Sequence, residues 1–185
     1  MIWKLLFVFS LIPIAAALIS RWYFGTRILM SRGKRACTVD RIRWETYLGK
    51  AAPLEVEEAP AMELGKLLRI IALADWKARD PKRAAVRDKA RKFGMAVPPL
   101  GLIIAVFIIF RMGAYAGLAV FVSAIALSIL TAYVSIGTEL TVVALMNRRL
   151  RESRSFARRD DEDAVAESAT GHVWLEATPP ILRFF

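Results

Sequence analysis

Residues 97–134 read VPPLGLIIAVFIIFRMGAYAGLAVFVSAIALSILTAYV, and the fold turns on how this stretch is divided. Arg111 is its only charged residue. As one helix it would be roughly 57 Å long at 1.5 Å per residue. The hydrocarbon core of a bilayer is only about 30 Å thick. The chain must therefore cross twice, turning between Arg111 and Gly117. The first span is short and recruits Met95 and Ala96. The second weakens at Glu139 and stops at Asn147-Arg148-Arg149, so the hairpin occupies residues 97–146.

Working outward, residues 2–20 form a third apolar segment. No charge stands between Leu5 and Ile19, and only Ser10 and Pro13 interrupt it. Lys4 precedes it, while Arg21, Arg27, Arg32, Lys34 and Arg35 follow. A cleaved signal peptide has the opposite balance, so an uncleaved anchor is expected, with its N-terminus outside. Trp22 and Tyr23 fall where amphipathic rings suit a membrane–water interface. Hydrophobic residues make up 56% of the 185-residue chain and charged residues 24%, which requires the two kinds to be segregated, as these runs are.

The expected class is thus an all-α integral membrane protein with three transmembrane helices and a small cytoplasmic helical region. Lys and Arg number 27 against 17 Asp and Glu, for a net charge of +10. With residues 21–96 and 147–185 in the cytoplasm, only Lys4 and Arg111 lie elsewhere, so 25 of the 27 basic residues (27 − 2) obey the positive-inside rule. The opposite orientation would satisfy it with two. A multi-pass protein of the cell membrane is expected, with most polar residues cytoplasmic.

Three helices are predicted in residues 21–96. The first covers Val39 to Leu48, capped by Thr38 and stopped at Gly49. The second covers Ala61 to Arg79, with Leu64, Leu67, Leu68, Ile71 and Ala74 on one face. An acidic, proline-bounded linker, Pro53 to Pro60, separates the two. The third begins at Asp80-Pro81, a cap followed by a residue suited to the first helical position, and ends at Gly94. It carries Lys82, Arg83, Arg87, Lys89, Arg91 and Lys92 against Asp88 alone, beside a thin apolar stripe of Val86, Ala90 and Phe93. Six basic residues exceed what topology needs. They are the candidate site for anionic lipid headgroups or a protein partner, at ~1 kcal/mol per residue near a charged surface. Nucleic acid is disfavoured, because no aromatics are interleaved to stack bases.

In the tail, Asp160 to Asp163 suit a helix N-terminus, and a helix is predicted from Asp161 to Ala177, ended by Pro179-Pro180. Val165, Ala169 and Val173 supply its apolar positions. Trp174, Leu175, Ile181, Leu182, Phe184 and Phe185 should dock on the Leu64–Ala74 face or on the membrane surface.

Specific chemistry is sparse. Glu139 is the intramembrane polar candidate, since acids in apolar runs are costly; solvation or pairing with a basic residue near the headgroups is the alternative. His172 and Glu176 share a helix face, but a metal site needs three or four ligands, and Asp160 to Asp163 and Glu167 fit a cap better. Cys37, the only cysteine, can form no internal disulfide; it is either a buried thiol or a juxtamembrane lipidation site. No phosphate-binding loop or other cofactor motif appears. Gly113-x-x-x-Gly117 and Ala124 to Ser128 have the small-residue spacing of close helix packing in lipid. In layout, the anchor, amphipathic cytoplasmic region and two-span hairpin ending in an Arg-rich helix are similar to the neutral zinc membrane metallopeptidases. The His-Glu-x-x-His pair is absent, so the resemblance implies a non-catalytic relative.

The reading favoured is a non-enzymatic accessory or scaffold protein whose basic cytoplasmic helices bind a partner protein, a second copy or anionic lipid. That non-catalytic relative, or a subunit of an oligomeric transporter, is the alternative.

Overall fold

A computed structural model describes residues 2–48 and 58–177 of the chain. In order, the elements are α1 (Ile2–Ser20), a π-helical stretch (Arg21–Thr26), α2 (Arg27–Ser31), β1 (Ala36–Thr38), α3 (Arg41–Leu48), β2 (Glu58–Pro60), α4 (Ala61–Arg79), α5 (Pro81–Met112), α6 (Ala114–Ser153) and α7 (Arg159–Ala177). Three helices are long and apolar enough to cross a membrane: Ile2–Ser31, α5 and α6. The chain is therefore all-α, with three helices whose length and composition suit a multi-pass membrane protein. Packing divides it into two compact units. One is built mainly from residues up to Ser20 and Ala85–Ser135, the other from Arg21–Ala84 and Ile136–Glu176.

In the first unit α1 packs on α6 through Ala17, Ile125 and Ile129, with Ile14, Phe121 and Tyr133 around them. The hydroxyls of Ser10 and Ser123 meet at 2.9 Å across this contact. Outward-facing side chains are large and apolar, with Phe107 70% and Phe110 83% exposed, as lipid-facing surfaces require. The α5–α6 hairpin turns at Gly113, whose φ of +92° is the left-handed region that glycine adopts without strain. Only the second glycine of the Gly113-x-x-x-Gly117 pair packs: a Cβ on Gly117 would strike Ile109 and lie 2.7 Å from the Ala105 carbonyl, whereas Gly113 faces open space.

The expected stop at Gly94 is overturned, for α5 runs unbroken through Pro98 and Pro99. The reason lies in the neighbouring helix α6. Pro98 has no N–H to donate to the carbonyl four residues back, which belongs to Gly94. The Ser128 hydroxyl of α6 donates to that freed carbonyl instead, in a buried bond. A proline inside a membrane helix is tolerated when a neighbour satisfies the released group in this way.

In the second unit α4 has the predicted bounds. Its first N–H groups are capped by the turn between α2 and β1: Ala61 donates to the Arg35 carbonyl and Met62 to that of Gly33, both at 2.8 Å. Its buried face is turned from the one expected. Leu64, Leu68 and Ile71 are inside, but Gly65, Arg69, Ala72 and Trp76 join them while Ala74 is exposed. The shift follows from α7, which crosses α4 so closely that a Cβ on Gly65 would lie 2.6 Å from the Ala169 nitrogen. Val165, Ala169 and Val173 of α7 are all buried, as expected. The end of the tail, residues 178–185, lies outside the described residues, as do Pro53 to Glu57 of the linker and the Gly49 stop.

Two further expectations change. Thr38 does not cap α3, because it pairs with Glu58 in a short antiparallel ribbon. The cap is Asp40, whose carboxylate accepts from the N–H groups of Ile42 and Arg43 at 3.1 and 3.2 Å. The N-terminal helix also continues past residue 20, through the π-helical stretch into α2. There Phe24 stacks on Trp174 with ring centroids 5.0 Å apart. Gly25 and Gly171 leave room for α7 to approach this stretch.

Candidate functional site

A buried constellation of charge in the second unit is built on Arg69. It stands on α4 one turn beyond Gly65 and one before Ala72, which places it on the face that α7 covers. Burying a guanidinium requires partners. Two are supplied: Glu139 of α6 at 2.9 Å and Glu176 of α7 at 2.7 Å. Arg69 and Glu139 are 4% and 6% exposed, so this pair is inside the protein. Burial works to lower the Arg69 pKa, but the two carboxylates outweigh it and raise the value above that of a free arginine. One guanidinium thus joins three helices through charge-assisted bonds.

His172 lies one turn before Glu176 on α7 and is 8% exposed. Its Nε2 is 3.0 Å from the Met62 carbonyl. A carbonyl only accepts, so Nε2 carries the hydrogen and donates. Burial is the largest influence on the ring and lowers its pKa; the Met62 carbonyl and Glu176 act to raise it, and Arg69 and Lys66 lower it further. The cluster therefore holds a neutral imidazole beside a bound guanidinium. Arg69 and its two carboxylates neutralise one another. Among the described residues no three His, Cys, Asp or Glu side chains are grouped to hold a metal ion.

Arg69 was not legible as a site residue in the sequence. Glu139 stood out as an acid in an apolar run, with Arg148 as the nearest base. Its partner lies 70 residues away in the chain. The one available signal was an arginine in helical register with Gly65, Ala72 and Trp76.

The six basic residues singled out on α5 are not gathered into a pocket. Lys82, Arg83, Lys89, Arg91 and Lys92 are exposed along the helix, and Arg87 is half-buried with its guanidinium 3.1 Å from Asp88. Val86 and Phe93 of the apolar stripe are exposed beside them. Cys37 is fully buried in β1. Burial and the nearby Asp161 push its thiol up to about 11, against the weaker pull of Arg35. Such a thiol is protonated and sheltered at neutral pH, which removes the lipidation alternative.

The chain matches no family model, no curated protein and no solved structure.

Proposed function

We propose that this protein is a non-enzymatic membrane accessory or scaffold protein whose basic helix segment engages anionic lipid headgroups. The reading includes its orientation: N-terminus outside, residues 21–96 and 147–185 in the cytoplasm. The observation that carries it is the continuity of α5. Lys82, Arg83, Lys89, Arg91 and Lys92 are exposed on the helix that runs without a break into an apolar span. Charges so fixed near a span meet the anionic leaflet at the depth where attraction is worth ~1 kcal/mol per residue. Val86 and Phe93, exposed among them, suit the boundary between headgroup and acyl chain.

The test uses the full chain, extracted in mild detergent, with the retained lipid identified by mass spectrometry. Anionic lipid should be enriched over its share of the source membrane. Replacing Lys82, Arg83, Arg87, Lys89, Arg91 and Lys92 together by Gln should abolish the enrichment. Retained lipid of bulk composition in the unmodified protein would refute the reading. A stoichiometric protein that is lost with the six charges would replace lipid by a protein partner on the same segment.

A further inference from the structure

The turn that joins α6 to α7 frames an open groove of about 690 Å³, lined by Arg151, Arg154, Phe156, Arg159, Glu162 and Asp163 among others. Its charges are unequally committed. Arg151 is held by Asp163 at 3.1 Å and reaches Glu162 at 4.0 Å, so the two acids of the groove serve the same arginine. Among the described residues no carboxylate comes within ion-pairing distance of the Arg154 or Arg159 guanidinium; Arg159 acts on Glu162 only through space. Two guanidiniums therefore face one groove with their forks unspent.

The backbone beneath them is costly and well fastened. Arg154 has φ +48°, the only positive φ of a non-glycine among the described residues. Glycine or asparagine would suit that conformation better, yet an arginine stands there. Its carbonyl accepts from the Arg43 guanidinium at 3.2 Å, and the next residue's carbonyl accepts from the Asp40 N–H at 2.8 Å. Phe156 packs edge-on against the buried Trp44 ring at 6.2 Å, which makes a stiff apolar wall. Strain held by such surroundings marks a place where a side chain is kept in position.

We propose that this groove binds a phosphate monoester through Arg154 and Arg159, with the carbon end of the ligand against Phe156. The charges match: a monoester carries about −1.5 to −2 at neutral pH, and two planar forks can each meet two of its oxygens. A single carboxylate would leave one fork unmatched. The ligand is either a soluble phosphorylated molecule or the headgroup of a monoester lipid, and both present the same oxygens. None of these residues lies on α5, so the inference stands apart from the lipid reading above.

The test places the full-length protein in nanodiscs of neutral phosphatidylcholine and titrates glycerol phosphate by calorimetry. Parallel discs carry phosphatidic acid, followed by native mass spectrometry. Saturable binding of glycerol phosphate identifies a soluble ligand; binding of phosphatidic acid alone identifies the lipid. In either arm Arg159→Gln should weaken binding roughly tenfold or more, as loss of a charge-assisted contact does. Arg154→Gly should do the same while keeping or raising the melting temperature, because glycine suits the left-handed backbone; this separates binding from folding. The six-fold Gln variant of α5 should bind the monoester unchanged. Absence of saturable binding in both arms, or binding that survives both Arg substitutions, overturns the proposal.

Discussion

Arg69 is the residue that neutralises the buried Glu139 of the second unit. Removing it as Arg69→Ala leaves Glu139 buried without its guanidinium, a loss expected to cost on the order of 3–5 kcal/mol. Glu139→Gln should cost less, because the amide oxygen still accepts from Arg69 and Glu176 still neutralises it. Thermal unfolding in detergent separates the two; an Arg69→Ala protein that melts with the wild type would remove the triad from any structural role. His172 adds a pH dependence whose sign is set by its lowered pKa. The folded state resists protonating this ring, so below about 6.5 the unfolded chain binds more protons. Stability from the neutral ring is complete above that pH and is lost as the pH falls beneath it. Subtracting the melting profile of His172→Gln, which keeps a donor for the Met62 carbonyl, should flatten the slope between pH 6.5 and acid; identical slopes would show that the ring contributes none of it. At Cys37, burial and the raised thiol predict maleimide labelling only after unfolding. Rapid labelling of the native protein would contradict the burial.

At the scale of elements, the α5–α6 hairpin rests on one substitution of hydrogen-bond partners. Pro98 frees the Gly94 carbonyl and Ser128 recovers it. Ser128→Ala should therefore destabilise the hairpin by about 1 kcal/mol. In a Pro98→Ala background the same change should cost little, since residue 98 then supplies the N–H itself. A double-mutant cycle read by thermal or denaturant unfolding measures the coupling, and strict additivity would refute this account. Glycines divide in the same local way. Gly65→Val should disrupt the α4–α7 crossing, whereas Gly137→Ala, with nothing within 4 Å of its added methyl, should be neutral or slightly stabilising. Much of this level was readable in advance: the α4 bounds, the Asp80 cap of α5 and the hairpin turn all follow from local residue chemistry. The Gly94 stop and the buried face of α4 were misjudged because each depends on a helix distant in sequence, α6 in one case and α7 in the other.

For the whole molecule, the proposed orientation rests on 25 of 27 basic residues sharing one side. In a Cys37→Ala background, cysteines placed at the exposed positions Ala78 and Glu152 should resist an impermeant thiol reagent added outside intact cells. A cysteine at Met112, beside the hairpin turn, should react. Labelling at Ala78 or Glu152 from outside would invert the topology and, with it, the lipid reading of α5.

The three apolar runs and their asymmetric charge could be read directly, because segregation between oil and water is a property of consecutive residues and needs no knowledge of neighbours. The same holds for the Asp80 cap of α5, which bonds three residues along, but not for the Thr38 cap of α3, because β2, distant in sequence, claims that residue. The Arg69 cluster and the arginine groove could not be read that way. Arg69, Glu139 and Glu176 come from three helices, and nothing near any one of them in the chain marks the others. Arg154 is set apart from the arginines around it by a backbone angle at the turn between α6 and α7 and by the absence of the acidic partners that hold Arg151 among the described residues. Both constellations exist because folded helices supply partners and constraints that sequence neighbours cannot.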